Sequence, residues 1–132
     1  MTIPADIQFA SKQFDEWLGE LKESAFLSTH NQGYAMLRAV LHELRDRLDV
    51  MQTAAFADGL PALIRGILYD GWRPAEAPAQ LPTSHEFSDA VIRRLSPHHV
   101  PPETIVGDVF AMIARHTDAG RLAAALAHYP TS

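Results

Sequence analysis

The sequence contains no cysteine and very little lysine. The absence of cysteine excludes a disulfide framework, a thiolate zinc site, an iron–sulfur cluster and a cysteine nucleophile. Lys12 and Lys22 are the only lysines, and the net charge of −5 opposes the neutralisation of nucleic-acid phosphates on which duplex binding depends. We therefore expect no nucleic-acid partner.

Long apolar runs are also missing from the chain. No stretch approaches the roughly 18 apolar residues that a membrane span needs. The first ten residues lack the basic segment and apolar core of a signal peptide. A chain of 132 residues fits one domain (1–132) and buries enough surface to fold without a metal or cofactor. We expect a cytoplasmic protein without membrane contact.

Apolar residues recur at helical spacing along most of the chain and predict an all-α fold. The strongest stripe predicts a helix that begins after Thr29 and ends near Leu48, with Gln32 completing a capping box. A helix from Gln8 to Ser24 precedes it. The apolar positions of these two helices are Phe14, Trp17, Leu18 and Leu21, then Tyr34, Leu37, Leu41, Leu44 and Leu48.

A short helix is predicted to follow the N-cap Asp49 as far as about Asp58. Pro61 then suits the first position of another helix (62–70), which ends at a left-handed Gly71. Gly66 lies inside this helix, where glycine is unfavourable, and it predicts the close approach of another backbone. Trp72 is expected to fold back onto Ile67 and to join the core.

The second half of the chain begins after a proline-rich linker, residues 73–83. Thr83 and Glu86 predict a capping box, and Pro102 is expected to begin the next helix. Asp118 is expected to cap a last short helix that ends before Pro130. The apolar positions of these three helices are Phe87, Val91 and Leu95, then Ile105, Val106, Val109, Phe110 and Ile113, then Leu122 and Leu126.

The two halves of the chain are similar to each other. Residues 48–61 align without gaps on residues 117–130, and four of the aligned positions are identical: Asp49, Ala54, Ala55 and Pro61 with Asp118, Ala123, Ala124 and Pro130. We therefore predict a compact bundle of about six to seven helices, built from two similar helix–helix–short-helix halves, about 14–61 and 84–130.

The segments YAMLRAVLHELRDRL (34–48) and GLPALIRGILYDGW (59–72) resemble a bacterial family known as domain of unknown function 2267. The resemblance covers roughly residues 14–130 and is most specific in the first half. It implies a helical fold. Because the family's members are uncharacterised, it implies no activity. Gly59 departs from the family pattern, which usually has Gln at this position.

Catalytic signatures are not found in the sequence: it has no glycine-rich phosphate loop, no nucleophile elbow and no zinc-binding helix motif. His98 and His99 are adjacent, and His85 and His116 could approach them, but we expect solvated histidines and no metal site. His42 and Asp46 lie one helical turn apart. This spacing suits an acid–base pair or, as we expect, a surface contact.

Arg38 and Arg45 border the apolar stripe of the second helix, and Arg65 lies on the helix after Pro61. Arginine at the edge of a core buries its stem and pairs its guanidinium group. One interpretation is a structural clamp to a carboxylate of another helix, for which Asp15, Asp58 and Asp70 are candidates. The other is an anion pocket built from the three arginines.

These features favour a non-enzymatic helical module for protein interaction or oligomerisation, with a homodimer or another protein as the partner. The residues singled out for structural roles are Pro61, Gly66, Gly71 and Trp72. The alternative is a small-molecule or anion sensor that uses the arginine cluster. An enzyme is not expected, because no nucleophile–base or metal constellation is visible in the sequence.

Overall fold

The computed structural model describes residues 4–74, 83–95, 97 and 100–126, and this part of the chain is all-α, as predicted. It contains seven helices: α1 (Ala5–Ser24), α2 (His30–Asp46), α3 (Val50–Asp58), α4 (Ala62–Tyr69), α5 (Ser84–Arg94), α6 (Ile105–His116) and α7 (Ala119–Ala125). The predicted linker lies largely outside the described residues, and so do the last residues of the second half.

Helix α2 lies at the centre of the bundle, where it packs against α1, α4, α5 and α6. The short helices α3 and α7 pack against each other, and α6 and α4 support them. Much of α2 is therefore buried, including its charged residues Glu43 and Arg45. The largest fully buried side chains of the core are Trp17, Leu21, Met36, Leu37, Leu41, Leu44, Ile64, Leu68, Phe87, Met112 and Ile113.

Helix α1 is longer than the bundle that it covers. Its buried residues begin at Trp17, whereas Ile7 and Phe9 in its first turns are exposed. The helix begins three residues earlier than predicted, after Pro4, whose carbonyl accepts the N–H groups of Ile7 and Gln8. The first part of α1 therefore projects beyond the core.

Side-chain caps begin the helices where the sequence predicts them. Thr29 Oγ1 accepts the N–H of Gln32 at 3.1 Å, and Asp49 Oδ1 accepts the N–H of Gln52 at 2.7 Å. In both cases the Gln side chain also accepts the N–H of the cap residue, so both capping boxes are complete. Thr83 and Asp118 also cap their helices, by accepting N–H groups of Glu86 and Gly120.

Other predicted helix boundaries also differ from the structure. Helix α2 ends at Asp46, because the N–H groups of Arg47 and Leu48 bond to carbonyls three residues earlier. Pro61 is the residue before α4 and not its first residue. Pro102 does not begin α6: its carbonyl accepts the N–H of Ile105, and this turn delays the helix to that residue.

The glycine and tryptophan predictions around α4 have mixed outcomes. Gly71 has a φ of +70° just after the helix, as predicted. The prediction for Gly66 is wrong: it is exposed, and apart from its chain neighbours and its own helix backbone no described atom would lie within 4 Å of an added Cβ. Trp72 is half-buried and outside the core, because its N–H bonds to the Tyr69 carbonyl and this tight turn stacks its ring on Tyr69 at 5.5 Å.

The proposed repeat of helix, helix and short helix stays a prediction. The element order α1–α2–α3 is followed by α5–α6–α7, and both short helices begin after a capping aspartate. The packing within the halves differs, however. Helix α1 packs against α2, whereas α5 packs mainly against α2 of the other half and meets α6 through the rings of Phe87 and Phe110.

Candidate functional site

Two side chains of α2 hold the carboxyl end of α4. Arg45 Nη1 donates to the carbonyls of Leu68 at 2.9 Å and Asp70 at 3.0 Å, and His42 Nε2 lies 2.7 Å from the carbonyl of Ile67. The last carbonyls of a helix have no partner within the helix, and a cation there is favourable. We call Arg45, His42 and these carbonyls the α2–α4 clamp.

The surroundings of the clamp also determine the protonation state and the tautomer of His42. Burial disfavours the charged imidazolium and lowers the pKa of His42, and the nearby charges of Arg45 and Arg38 act in the same direction. A carbonyl can only accept a hydrogen bond, so the neutral ring carries its proton on Nε2. His42 therefore contacts α4 and not Asp46, and both interpretations of the predicted His42–Asp46 pair are wrong.

Arg38 supports the same end of α4 from the surface. Its Nη1 lies 2.7 Å from Asp70 Oδ2, and its side chain is 34% exposed. The hydrogen bond with Asp70 raises the pKa of Arg38 although burial acts against this. Arg38 and Arg45 therefore converge on Asp70, one on its carboxylate and the other on its backbone carbonyl.

Arg65 is used at a different place, the turn between α3 and α4. Its Nε donates to the carbonyl of Ala57 at 2.9 Å, and its Nη2 donates to the carbonyl of Leu60 at 2.8 Å. It therefore satisfies the carboxyl end of α3 from the helix that follows. Of the three arginines, only Arg38 therefore makes the predicted contact with a carboxylate of another element, whereas Arg45 and Arg65 bind backbone carbonyls at two different helix ends.

A charge network between α2 and α5 was not predicted. Arg94 Nε donates to Glu43 Oε2 at 2.6 Å, and its Nη2 donates to Asp46 Oδ2 at 2.7 Å. Arg47 Nε donates to the other oxygen of Glu43 at 2.9 Å. Glu43 is 4% exposed, so these guanidinium groups satisfy a carboxylate that the bundle buries. We call Glu43, Asp46, Arg47 and Arg94 the α2–α5 network.

The network changes the ionisation of its second carboxylate and of its arginine. Burial would raise the pKa of Asp46, but hydrogen bonds from Arg45 and Arg94 lower it below its ordinary value. Burial also acts against the charge of Arg94, and the bonds to Glu43 and Asp46 outweigh it and raise the pKa. The network therefore consists of charged groups that depend on one another.

Of the histidines considered for a metal site in the sequence, His85 and His116 each contact another partner in the structure. His116 Nε2 donates to Glu20, which also accepts a bond from Arg115 at 2.5 Å, and the ring of His116 lies against Trp17. Burial alone would raise the pKa of Glu20, and the bonds from His116 and Arg115 lower it.

His85 pairs with Asp89, whereas His98 and His99 lie outside the described residues. The described ranges hold no group of three or more His, Asp or Glu residues that could bind a metal.

The turn between α1 and α2 has a conformation that suits glycine but contains phenylalanine. The N–H of Leu27 bonds to the carbonyl of Lys22, and the N–H of Phe26 bonds to the carbonyl of Glu23. This is the Schellman pattern, in which the residue at the position of Phe26 is left-handed and usually Gly. Phe26 has a φ of +56°, and it is 94% exposed.

The ring of Phe26 lies beside a groove of about 640 Å³. Gly19, Lys22 and Glu23 line it from α1, and Leu27 and His30 line it from the turn and the start of α2. We call Phe26 and this groove the Phe26 surface. The sequence interpretation missed it, because the residue that usually marks a left-handed helix end is glycine. The sequence predicted only that the first helix ends at Ser24.

A second, smaller cavity of about 360 Å³ lies between α3 and α7, where Phe56 and several alanines line it. Arg121 crosses its edge and donates to the carbonyl of Ala55 at 2.8 Å. A Cβ added at Gly59 would lie 2.5 Å from the Cδ of Arg121. A larger residue at position 59 would therefore have to displace the Arg121 side chain.

Comparison with known proteins identifies a family but no characterised relative. The model of a family described as "Uncharacterized conserved protein (DUF2267)" matches residues 14–132. No curated protein matches the chain. Within the described ranges, no helix combines the length and the apolar character that a membrane span requires.

Proposed function

The chain belongs to the uncharacterised DUF2267 family, and we propose that it is a non-enzymatic cytoplasmic module that binds another protein chain through the Phe26 surface. The observation that carries this proposal is the exposed ring of Phe26. This residue lies at a helix end in a left-handed conformation that glycine adopts more readily. The match of the chain to its family supports the helical scaffold and leaves the activity open.

The energetics of Phe26 support a role in binding. A left-handed conformation costs a residue with a side chain about 1–2 kcal/mol. Phe26 does not offset this cost by packing, because the folded protein leaves 94% of it exposed. Burial of such a ring stabilises by about 1.5–3 kcal/mol. Burial of the Phe26 ring by a partner would therefore offset the cost of the left-handed backbone, which the isolated chain does not offset.

The buried polar side chains support a structural role for the rest of the bundle. Arg45 and His42 hold α4, and Glu43 holds α5. An anion sensor built on Arg38, Arg45 and Arg65 has less support, because an anion would have to displace Asp70 or backbone carbonyls that these groups already contact.

The test places a photo-crosslinking analogue of phenylalanine at position 26 in producing cells. Position 9 is the control, because Phe9 is also an exposed aromatic residue of 65% exposure but does not line the groove. We expect one discrete protein adduct from position 26 and none from position 9. Equal adducts from both positions, or none from either, would contradict the proposal.

A further inference from the structure

We infer that the partner of the Phe26 surface is a second copy of this chain, related to the first by a two-fold axis that passes through the surface. This inference rests on the proposed function and names the partner. In a two-fold interface the same patch is used on both copies, so each feature must meet its complement within that patch. The Phe26 surface meets this condition in both shape and charge.

The shape of the surface combines a projection with a recess. The projection is the ring of Phe26, and the recess is the groove beside it, whose volume of about 640 Å³ is large enough to receive a ring. The groove is open beside Gly19, where even an added Cβ would approach only His30 Nε2, at 3.8 Å. A two-fold axis between ring and groove therefore places each ring in the groove of the other copy.

The charges of the surface are also complementary to themselves. Lys22 and Glu23 are adjacent in sequence, and both line the groove. Neither belongs to an ion pair within the described ranges. A two-fold axis through the groove sets Lys22 opposite Glu23 of the second copy, and the reverse contact follows by symmetry. This charge arrangement favours a second copy over an unrelated partner.

The size of the surface determines the strength of association that we expect. Six residues from one turn and two helix ends make a small patch, and small interfaces belong to weak, transient complexes. We therefore expect a monomer–dimer equilibrium that depends on protein concentration, with dimer present at high micromolar concentration.

The first experiment uses sedimentation of wild type, Phe26→Gly and the control Phe9→Ser. Glycine removes the ring and suits the left-handed backbone, so Phe26→Gly should lose the dimer and keep or raise its melting temperature. Phe9→Ser should sediment as wild type does. A wild type that stays at 14.6 kDa at high micromolar concentration would overturn the inference, and so would a Phe26→Gly variant that still dimerises.

The second experiment tests the two-fold axis itself with Lys22→Glu and Glu23→Lys. Each variant alone brings like charges together at both symmetric contacts, so each should be monomeric. When the two variants are mixed, every contact again joins opposite charges, and a heterodimer should form. Circular dichroism melts confirm that both variants fold. Variants that dimerise alone, or a mixture that stays monomeric, would contradict the axis.

The crosslinking at position 26 separates failure of this inference from failure of the proposed function. A chain crosslinked to itself supports both. A discrete adduct with a different protein would leave the proposed function standing and overturn the second copy as partner. The absence of any specific adduct would overturn both.

Discussion

The two sides of α2 hold their neighbours with different chemistry. Towards α4, a buried cation meets neutral carbonyls: Arg45 is 5% exposed and contacts the backbone of Leu68 and Asp70. Towards α5, a buried anion meets cations: Glu43 is 4% exposed between Arg47 and Arg94. The α2–α4 clamp therefore provides donors for the free carbonyls at the end of α4, whereas the α2–α5 network neutralises the buried charge of Glu43.

This difference determines what a substitution leaves behind. Removal of the cation from the clamp leaves helix-end carbonyls without donors, and it opens space in the core. Removal of one cation from the network leaves a buried carboxylate that still has another arginine. We therefore expect a larger loss of stability at the clamp, although the network contains more formal charges.

The largest expected effect is that of Arg45→Ala. Its guanidinium donates to two carbonyls and to Asp46, which keeps its bond from Arg94. A buried polar group left without a partner costs about 1–3 kcal/mol, so we expect a loss of roughly 3–4 kcal/mol from the two carbonyls together. Urea unfolding measures it. The matched control is Arg38→Ala, which reaches the same Asp70 from the surface and should cost less than ~1 kcal/mol. An equal cost for both variants would refute the distinction between buried and exposed contacts.

The next effect is that of Arg94→Ala, for which we expect a loss of about 2 kcal/mol, because Glu43 keeps its bond to Arg47. The control is the same substitution in a Glu43→Gln background. A neutral amide needs no cation, so Arg94→Ala should cost less there. If the cost of Arg94→Ala is the same in both backgrounds, the buried carboxylate is not its cause.

The smallest effect is a pH dependence that only the clamp should show. Because burial lowers the pKa of folded His42 below 6.5, the unfolded chain binds a proton more readily. The stability that the neutral, buried His42 contributes is fully present above pH 6.5 and is lost as the pH falls below 6.5. Asp46 in the network has a lowered pKa and stays ionised in this range. Unfolding free energies at pH 7.5 and 5.5 should differ more for wild type than for His42→Gln, and equal differences would argue against the clamp.

The parts of the fold that follow local rules could be predicted from the sequence. Thr29 and Asp49 cap their helices because a cap and its partner lie three residues apart. Contacts between helices could not be predicted in this way. Arg94 meets Glu43 across 51 residues. The acceptors of Arg45 on α4 are backbone carbonyls, and residue types in a sequence give no sign of such acceptors.

The candidate site was missed for a different physical reason. The helix-end pattern at Gly71 was predicted because glycine readily adopts a positive φ, and the structure confirms it. The same conformation at Phe26 has no such signal, since phenylalanine is ordinarily avoided there. A residue that breaks a local rule is visible only once the backbone is known, and it is then informative about function.

Because α1 projects beyond the core, its backbone amide hydrogens should exchange with solvent at very different rates along the helix. The helix has 20 residues, so it is about 30 Å long, and its buried residues begin only at Trp17. Amide hydrogens near Phe9 are protected by little more than the helix itself, so they exchange with solvent through local fraying. Those near Leu21 exchange only when the bundle opens. A single helix thus spans the range from nearly free to globally protected amides.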